Sequence, residues 1–307
     1  MKEIDKLQKW LDKNSKRDYS NKTVVITGGN SGIGFYLASI LAMKHANIIL
    51  PVRNKSRGEE AKRLILESYS DAKITLMDLD LSSFKSIEKF ANDIIKNNID
   101  IDIFVNNAGV FHIPKSQTKE GLELTIGTNF IGVKYLNDLL KDYLLSLKHQ
   151  VEVIFTTSVA SYRGRINYDD FMLDKRYNKF RSYCNSKLCV THYFIEYIKD
   201  VENTNIKTYL THPGTTYTPL IKKAYPGIFG SIAKVGMRIL FHLPNKACLG
   251  MVLALEKQKD HAYYAPRGML EVSGYPKEVK IRKRLYKNQD KTIKISTEII
   301  QKCKANN

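Results

Sequence analysis

Short apolar runs alternate with longer segments of helical periodicity along most of the chain. The apolar runs are rich in Val, Ile, Thr and Phe and are bounded by Gly, Asn, Asp or Pro, which is typical of β-strands. They are largely apolar rather than strictly alternating, as expected of strands buried on both faces of a sheet. These runs are TVVIT (23–27), NIILPV (47–52), KITLMDL (73–79), DIFVNNAG (102–109), EVIFTTS (152–158) and KTYLTHPG (207–214).

The segments between these runs carry the spacing of amphipathic helices. In residues 84–96 one apolar stripe is formed by Phe84, Ile87, Phe90, Ala91 and Ile94. Regular alternation of strand and helix predicts a parallel sheet with helices on both faces. No internal repeat or linker interrupts the pattern, so we expect a single-domain α/β protein with a doubly wound (Rossmann) parallel sheet.

Composition excludes several classes of protein. With 307 residues, of which 43% are hydrophobic, the chain is not intrinsically disordered. Four cysteines without a CxxC pair exclude a disulfide scaffold and give no basis for a metal site. The sequence shows no secretory h-region and no uncharged apolar run of about 18 residues, so we expect a cytoplasmic protein.

The formal net charge of +18 has a local excess near the end of the chain. Residues 277–307 contain ten basic and three acidic residues. No RNP-like aromatic motif, zinc-finger spacing or basic-zipper heptad accompanies them. A solvated basic tail is therefore favoured over nucleic-acid binding, and contact of this tail with an anionic membrane surface stays open.

A glycine-rich segment, TVVITGGNSGIG (23–34), links the first predicted strand to an apolar helix. Glycines permit a tight turn and close approach of the backbone to a pyrophosphate. A helix that begins near Ile33 directs its first N–H groups at that anion. We therefore predict a dinucleotide phosphate site built from the loop residues, which are Gly28, Asn30, Ser31, Gly32, Ile33 and Gly34.

The end of the second strand indicates which dinucleotide binds. A site for NAD usually places an acidic residue there to hold the ribose 2′-hydroxyl. Arg53 takes that place, with Lys55 and Arg57 nearby, so the sequence favours NADP, with NADPH preferred over NADH. After the third strand, Asp80, followed by Leu81, is placed to accept from the adenine amino group, to cap the next helix, or to do both.

Tyr183 and Lys187 lie four residues apart in a helical segment, so their side chains share one face. A phenol is a poor base at neutral pH, but a neighbouring ammonium lowers its pKa. Such a pair can exchange a proton with a carbonyl or an alcohol. Other motifs follow strands: NNAG (106–109), Ser158 in TTSVAS and HPG (212–214), while Asn129 lies in a helical pattern.

On these motifs, in this order, the chain resembles the classical short-chain dehydrogenase/reductase family from about residue 22 to 276. It is most similar to the retinol dehydrogenase and WW-domain oxidoreductase group, through RNKSRGEEA (53–61), LDLSSFKSIEKFA (79–91), INYDDF (166–171) and YYAPRG (263–268). The resemblance implies an NADP(H)-dependent oxidoreductase that interconverts a carbonyl and an alcohol. A nucleotide-sensing binding or scaffold protein with little turnover is the alternative.

The resemblance also implies residue roles. Tyr183 would be the general acid/base, Lys187 would lower its pKa and hold the nicotinamide ribose, and Ser158 would bind the substrate carbonyl. Asn129 would anchor a water that relays protons to Lys187. The full set of expected cofactor contacts is Gly28, Asn30, Ser31, Gly32, Ile33, Gly34, Arg53, Asp80, Leu81, Asn107, Ala108, Gly109, Tyr183, Lys187, Pro213, Gly214, Thr216 and Thr218.

The chain is expected to divide into an N-terminal amphipathic extension (1–21), a dinucleotide-binding domain (22–276) and a basic segment (277–307). The extension is expected to pack on the body rather than on a membrane. Within the domain, apolar residues of 215–250 predict a lid over an apolar alcohol or carbonyl substrate. A membrane-surface helix is the alternative for that segment. Helices near 120–148 and 180–200 build dimers in many family members, which leaves a homodimer open.

Overall fold

The computed structural model describes residues 2–215, 244–268 and 271–305, apart from the side chains of residues 2–4 and 244. The strands in these ranges are β1 (Thr23–Ile26), β2 (Asn47–Val52), β3 (Lys73–Asp78), β4 (Ile103–Asn106), β5 (Val151–Thr156), β6 (Ile206–Thr211), β7 (Ala262–Pro266) and β8 (Pro276–Val279). They form one sheet in the order β3-β2-β1-β4-β5-β6-β7-β8. Strands β1 to β7 are parallel, and β8 is antiparallel to β7.

Helices connect the strands, as predicted. They are α1 (Lys2–Asn14), α2 (Gly32–Met43), α3 (Lys55–Ser68), α4 (Phe84–Lys96), α5 (Leu124–Ile126), α6 (Gly132–Ser146), α7 (Lys179–Val201), α8 (Pro244–Ala247), α9 (Leu249–Lys257) and α10 (Gln289–Ala305). A π-helical turn, Gly127–Ile131, joins α5 to α6. Asparagine or serine side chains cap the starts of α3, α4 and α7, which explains where these helices begin.

Apolar side chains cover both faces of the sheet, and the doubly wound α/β fold is confirmed. Neighbouring residues of one strand enter different clusters: Phe104 packs with α4, α6 and α7, whereas Val105 packs with α2 and α9. In β5, Phe155 and Ile154 divide in the same way. Because the central strands are buried on both faces, most of their residues are apolar, and buried exceptions such as Glu152 and Asn106 are hydrogen-bonded.

The edges of the sheet depart from the sequence prediction. Strand β3 lies at one edge, and its first and third residues are exposed, so it is not buried on both faces. Strands β7 and β8 were not predicted as strands. Each is short and contains a proline. Strand β7 pairs with β6, which is far away in the sequence, and β8 pairs with β7.

The N-terminal helix packs on the body of the protein, as expected. Leu11 is buried, and the Trp10 ring stacks on Tyr275 with centroids 5.8 Å apart. Just beyond the helix, the Glu256 carboxylate accepts hydrogen bonds from the backbone N–H groups of Lys16 and Arg17. The extension is therefore held by both apolar and charged contacts.

The expectation of a solvated basic tail is wrong. Residues of this segment form β8, and α10 packs along α7 with Ile300 buried. Between the two helices, His192 Nδ1 and Thr292 Oγ1 lie 2.9 Å apart. Lysines of the segment remain at the surface, but its apolar positions complete the core. Within the ranges that the structure describes, no helix has the length and apolar character needed to span a membrane.

Candidate active site

Thr27 connects the glycine-rich turn to the end of β4. Its hydroxyl donates to the Val105 carbonyl at 3.1 Å and accepts from the N–H groups of Asn107 and Ala108 at 3.0 and 3.1 Å. The Asn107 side chain in turn donates to the Thr27 carbonyl at 3.0 Å. Two motifs that are 80 residues apart thus form one rigid unit. The sequence analysis missed Thr27, although a hydroxyl directly before two glycines was a visible signal.

The first turn of α2 is suited to an anion. Its N-cap residue, Ser31, is exposed and makes no side-chain capping hydrogen bond, in contrast to the N-caps of α3, α4 and α7. The first N–H groups of a helix need a partner, and the macrodipole favours a negative one. A dinucleotide pyrophosphate therefore fits the start of α2, at the carboxyl edge of the central strands.

Close packing holds this turn in place. A Cβ added to Gly34 would lie 2.5 Å from the Gly28 carbonyl oxygen and 2.6 Å from Asn107 Nδ2. Gly28 has a φ of 66°, and a Cβ there would lie 2.9 Å from the Cα of Ala108. Glycine is therefore required at both positions by contacts with the NNAG segment.

Arg53 and Asp80 lie together at the outer end of the predicted cofactor cleft. Arg53 Nη1 is 3.9 Å from Asp80 Oδ1, and the Arg53 side chain is 62% exposed. Asp80 Oδ1 accepts from the N–H and hydroxyl of Ser82. The cap of α4 is Ser83 rather than Asp80, which corrects the capping role considered for Asp80. Leu81, next to Asp80, is buried.

Ser158 and Tyr183 face each other across the end of β5 and the start of α7. A hydrogen bond with Ser158 lowers the pKa of the Tyr183 phenol, but burial acts more strongly and raises that pKa to about 12. The Ser158 hydroxyl also accepts from the Ala160 N–H at 3.2 Å. Phe111 packs edge-on against the Tyr183 ring, with centroids 4.6 Å apart. Phe111 was not among the predicted site residues, although it follows NNAG directly.

Lys187 is one helical turn beyond Tyr183 and is buried. Its Nζ donates to the Thr156 carbonyl at 2.9 Å, and burial lowers its pKa to about 8. The expected lowering of the Tyr183 pKa by Lys187 is not among the effects that set this pKa, which is raised mainly by burial of the phenol. Both groups are driven toward their neutral forms. At neutral pH the phenol is protonated and the ammonium largely so.

The Asn129 side chain ties the loop after β4 to α7. Its Oδ1 accepts from the Val110 N–H at 2.7 Å, and its Nδ2 donates to the Val110 carbonyl and to Ser186 Oγ. The Ser186 hydroxyl donates to the Tyr183 carbonyl at 2.8 Å. Asn129 therefore positions the backbone beside Tyr183. The anchoring of a relay water by Asn129 stays a prediction.

The HPG segment after β6 is fixed by an unpredicted glutamate. His212 Nδ1 accepts from the Gly214 N–H at 3.0 Å, and His212 Nε2 lies 3.1 Å from Glu271 Oε2. Burial opposes ionisation of Glu271, but hydrogen bonds from His212, Tyr162 and Arg282 lower its pKa to about 2. Nothing in the sequence around Glu271 indicated this role, since its partners come from distant segments.

The structure brings the predicted residues that it describes to one edge of the sheet. The glycine loop, Asn107, Ser158 and Pro213 all follow the carboxyl ends of parallel strands, and α7 presents Tyr183 and Lys187 beside them. Thr216, Thr218 and most of the predicted lid (215–250) lie outside the described residues. This arrangement can hold a dinucleotide along the edge and present a phenol and a hydroxyl to a reacting oxygen.

Comparison with known proteins identifies the family. Residues 22–227 match the model for short chain dehydrogenase, and the chain therefore belongs to the short-chain dehydrogenase family. It is 35% identical to human retinol dehydrogenase 12 over 201 residues, which cover 66% of this chain and 63% of that protein. It is also 35% identical to human WW domain-containing oxidoreductase over 205 residues, or 64% of this chain and 50% of that protein.

The family and the group predicted from the motifs are thus confirmed, although the match spans less than two thirds of the length of these relatives. A solved protein from Mycobacterium paratuberculosis shares the fold with a TM-score of 0.73 and 25% identity, over 92% of this chain and 95% of that one. A short chain dehydrogenase from Shigella flexneri, solved in complex with NADP, has a TM-score of 0.60 and 20% identity, over 78% and 93%. The latter likeness concerns the fold.

Proposed function

We propose that the protein is an NADP(H)-dependent oxidoreductase that interconverts a carbonyl and an alcohol on an apolar small molecule. The observation that carries this proposal is that the Ser158 side chain acts on the Tyr183 phenol, with Lys187 one turn further along α7. This pair lies at the strand edge beside the uncapped start of α2. Proton-transfer groups and a dinucleotide site therefore adjoin each other.

The protonation states favour proton donation. Because the pKa of Tyr183 is raised to about 12, the phenol keeps its proton at neutral pH and can give it to a carbonyl oxygen that becomes an alkoxide. Ser158 offers a second hydrogen bond to that oxygen. The largely protonated Lys187, whose pKa is about 8, provides positive charge near the phenolate that results. We therefore propose carbonyl reduction as the working direction.

The residues of the cofactor edge suit NADP. The start of α2 would hold the pyrophosphate, and Arg53 would pair with the 2′-phosphate, since it is exposed and no acid follows β2 directly. Asn107 and Gly109 would border the adenosine and ribose, and Pro213 the carboxamide. When bound, the nicotinamide supplies or accepts the hydride. Thr216 would border the carboxamide and Thr218 the phosphates, as the family resemblance implies.

The substrate class follows from the neighbours of Tyr183 and from the relatives. The Phe111 ring forms an apolar wall against the phenol. Several similar proteins are named retinol dehydrogenases, which implies an apolar alcohol or its carbonyl. We propose an apolar ligand of this kind.

The decisive experiment measures NADPH consumption with carbonyls from short aldehydes to retinal-like and steroid ketones. Tyr183→Phe should lower turnover by roughly 10²- to 10⁴-fold, the usual contribution of a general acid. NADPH affinity should change by less than about twofold, because the phenol is not part of the phosphate site.

A matched control is Tyr197→Phe on the same helix. The Tyr197 hydroxyl is buried and has no hydrogen-bond partner among the described residues, so its removal should leave turnover unchanged. Substantial turnover by Tyr183→Phe would exclude Tyr183 as the proton donor. NADPH binding without turnover on any carbonyl would favour the alternative of a nucleotide-sensing protein.

A further inference from the structure

A second cavity lies beside α7, away from the Ser158–Tyr183 pair. Its volume is about 740 Å³, and neither Ser158 nor Tyr183 lines it. Its walls are the 3₁₀ turn after β5, the first turns of α7 and the segment before α10.

The charged residues described in the lining of this cavity are all basic. Four arginines line it, namely Arg163, Arg165, Arg181 and Arg284, and none of the described lining residues is acidic. Within the described part of the chain, none of the four guanidinium groups forms an ion pair with a carboxylate. Guanidinium groups match the geometry of phosphate oxygens, and several together attract a multiply charged anion.

Neighbouring groups hold the side chain of Arg284 and the backbone of Arg165 in place. Arg284 donates to the Tyr162 carbonyl, and its Cζ lies 5.4 Å from the centre of the Tyr162 ring. The backbone N–H of Arg165 donates to Asn185 Oδ1 at 2.8 Å. Arg163 also lowers the pKa of the buried Cys184 thiol against the stronger effect of burial, so its charge acts on the cavity wall.

The remaining walls are apolar. Phe180, Leu188 and Leu285 face the same space as the arginines. A ligand that uses the whole cavity therefore has a charged head and an apolar part. We propose that the cavity binds a phosphate monoester whose organic part is apolar, and that this site is separate from the dinucleotide cleft.

The first test titrates the full chain calorimetrically with hexyl phosphate, inorganic phosphate and hexanol. Hexyl phosphate should bind at one site, at least about tenfold more tightly than inorganic phosphate, because burial of two methylene groups alone gives that factor. The double variant Arg163→Gln/Arg181→Gln should bind hexyl phosphate at least about tenfold more weakly. Equal binding by the double variant, or no binding by the wild type, would overturn the proposal.

Two control variants separate the site from general charge and from the cofactor cleft. Lys294→Gln/Lys302→Gln removes the same charge from exposed positions of α10 and should leave affinity unchanged. An equal loss in that variant would contradict a specific site. Arg53→Gln should also have no effect, and a loss there would place the phosphate in the cofactor cleft instead.

Vesicles distinguish the two sources of such a phosphate. Co-sedimentation is measured with phosphatidylcholine vesicles, with and without phosphatidic acid, for the wild type and Arg163→Gln/Arg181→Gln. Binding that requires phosphatidic acid and is lost in the double variant assigns the site to a lipid headgroup. Binding of hexyl phosphate alone assigns it to a free metabolite.

Discussion

The two halves of the candidate active site consist of different kinds of chemical groups. The cofactor edge consists of glycines, backbone amides and neutral side chains that hydrogen-bond one another, with Thr27 and Asn107 at the centre. The reacting cluster consists of buried titratable groups, with the pKa of Tyr183 at about 12 and that of Lys187 at about 8. Close packing fixes the geometry of the cofactor edge, whereas burial sets the pKa values of the reacting cluster.

Because of this difference, substitutions in the two halves should affect different properties of the protein. A change in the packed part of the cofactor edge, around the glycine turn and Thr27, should reduce both stability and nucleotide affinity, whereas a change at the exposed Arg53 should reduce the preference for NADPH alone. A change in the reacting cluster removes a proton-transfer group and should reduce turnover alone. The following substitutions test this separation in order of decreasing effect.

The largest effect is expected for Gly34→Ala. The new Cβ would meet the Gly28 carbonyl oxygen at 2.5 Å, and backbone cannot move aside cheaply. We expect a loss of roughly 3 kcal/mol in the free energy of unfolding, measured by urea denaturation, because overpacking typically costs that much. NADPH affinity should fall with it. Gly250→Ala is the control, since its nearest contact is 3.9 Å away and alanine favours helices; a similar loss there would refute the steric argument.

Thr27→Val should follow, at about 1–2 kcal/mol, because it removes the hydroxyl that donates to the Val105 carbonyl and leaves the part-buried N–H of Ala108 without its acceptor. The control is Thr128→Val, since the Thr128 hydroxyl is buried and has no partner among the described residues. Chemical denaturation of both variants measures the difference. Equal stability of the two would show that Thr27 does not hold the turn.

Glu271 connects His212, on the reacting side, to Arg282 in the C-terminal part of the chain, and Glu271→Gln tests this connection. The folded-state pKa of Glu271 is about 2, below its ordinary value of 4.5, so its charge stabilises the fold above about pH 4.5. This contribution, about 1–2 kcal/mol, is lost as pH falls from 4.5 toward 2. The difference in Tm between wild type and Glu271→Gln should therefore shrink between pH 7 and pH 3. A difference independent of pH would rule out the charged form as its origin.

The smallest effect on the fold is expected for Arg53→Ala, because the side chain is exposed and its contact with Asp80 is long, at 3.9 Å. The preference for NADPH over NADH should nevertheless fall about tenfold, the loss expected for one charge-assisted phosphate contact. Initial rates with both cofactors measure this ratio. Lys96→Ala, an exposed residue at the end of α4, should leave the ratio unchanged. An unaltered ratio in Arg53→Ala would remove the basis for NADP specificity.

Sequence reasoning recovered most of the strands because their burial leaves a continuous apolar pattern. The prediction for NIILPV (47–52) agrees with β2 residue for residue, and the stripe in 84–96 agrees with α4. It failed at the far edge, where β7 and β8 are short and contain prolines and where β7 pairs with a strand that is distant in sequence. Local pattern carries information on periodicity, but not on which neighbour completes an edge.

The sequence by itself determined the family, the alternation of the central strands with helices along the chain, and the one-turn spacing of Tyr183 and Lys187. These properties follow from motifs, residue periodicity and helix geometry, which are local. Only the tertiary structure decided that Thr27 and Glu271 fix the site, that burial raises the pKa of Tyr183, and that α10 packs into the core. The physical reason is that desolvation and hydrogen bonding depend on groups that are distant in sequence and become neighbours only on folding.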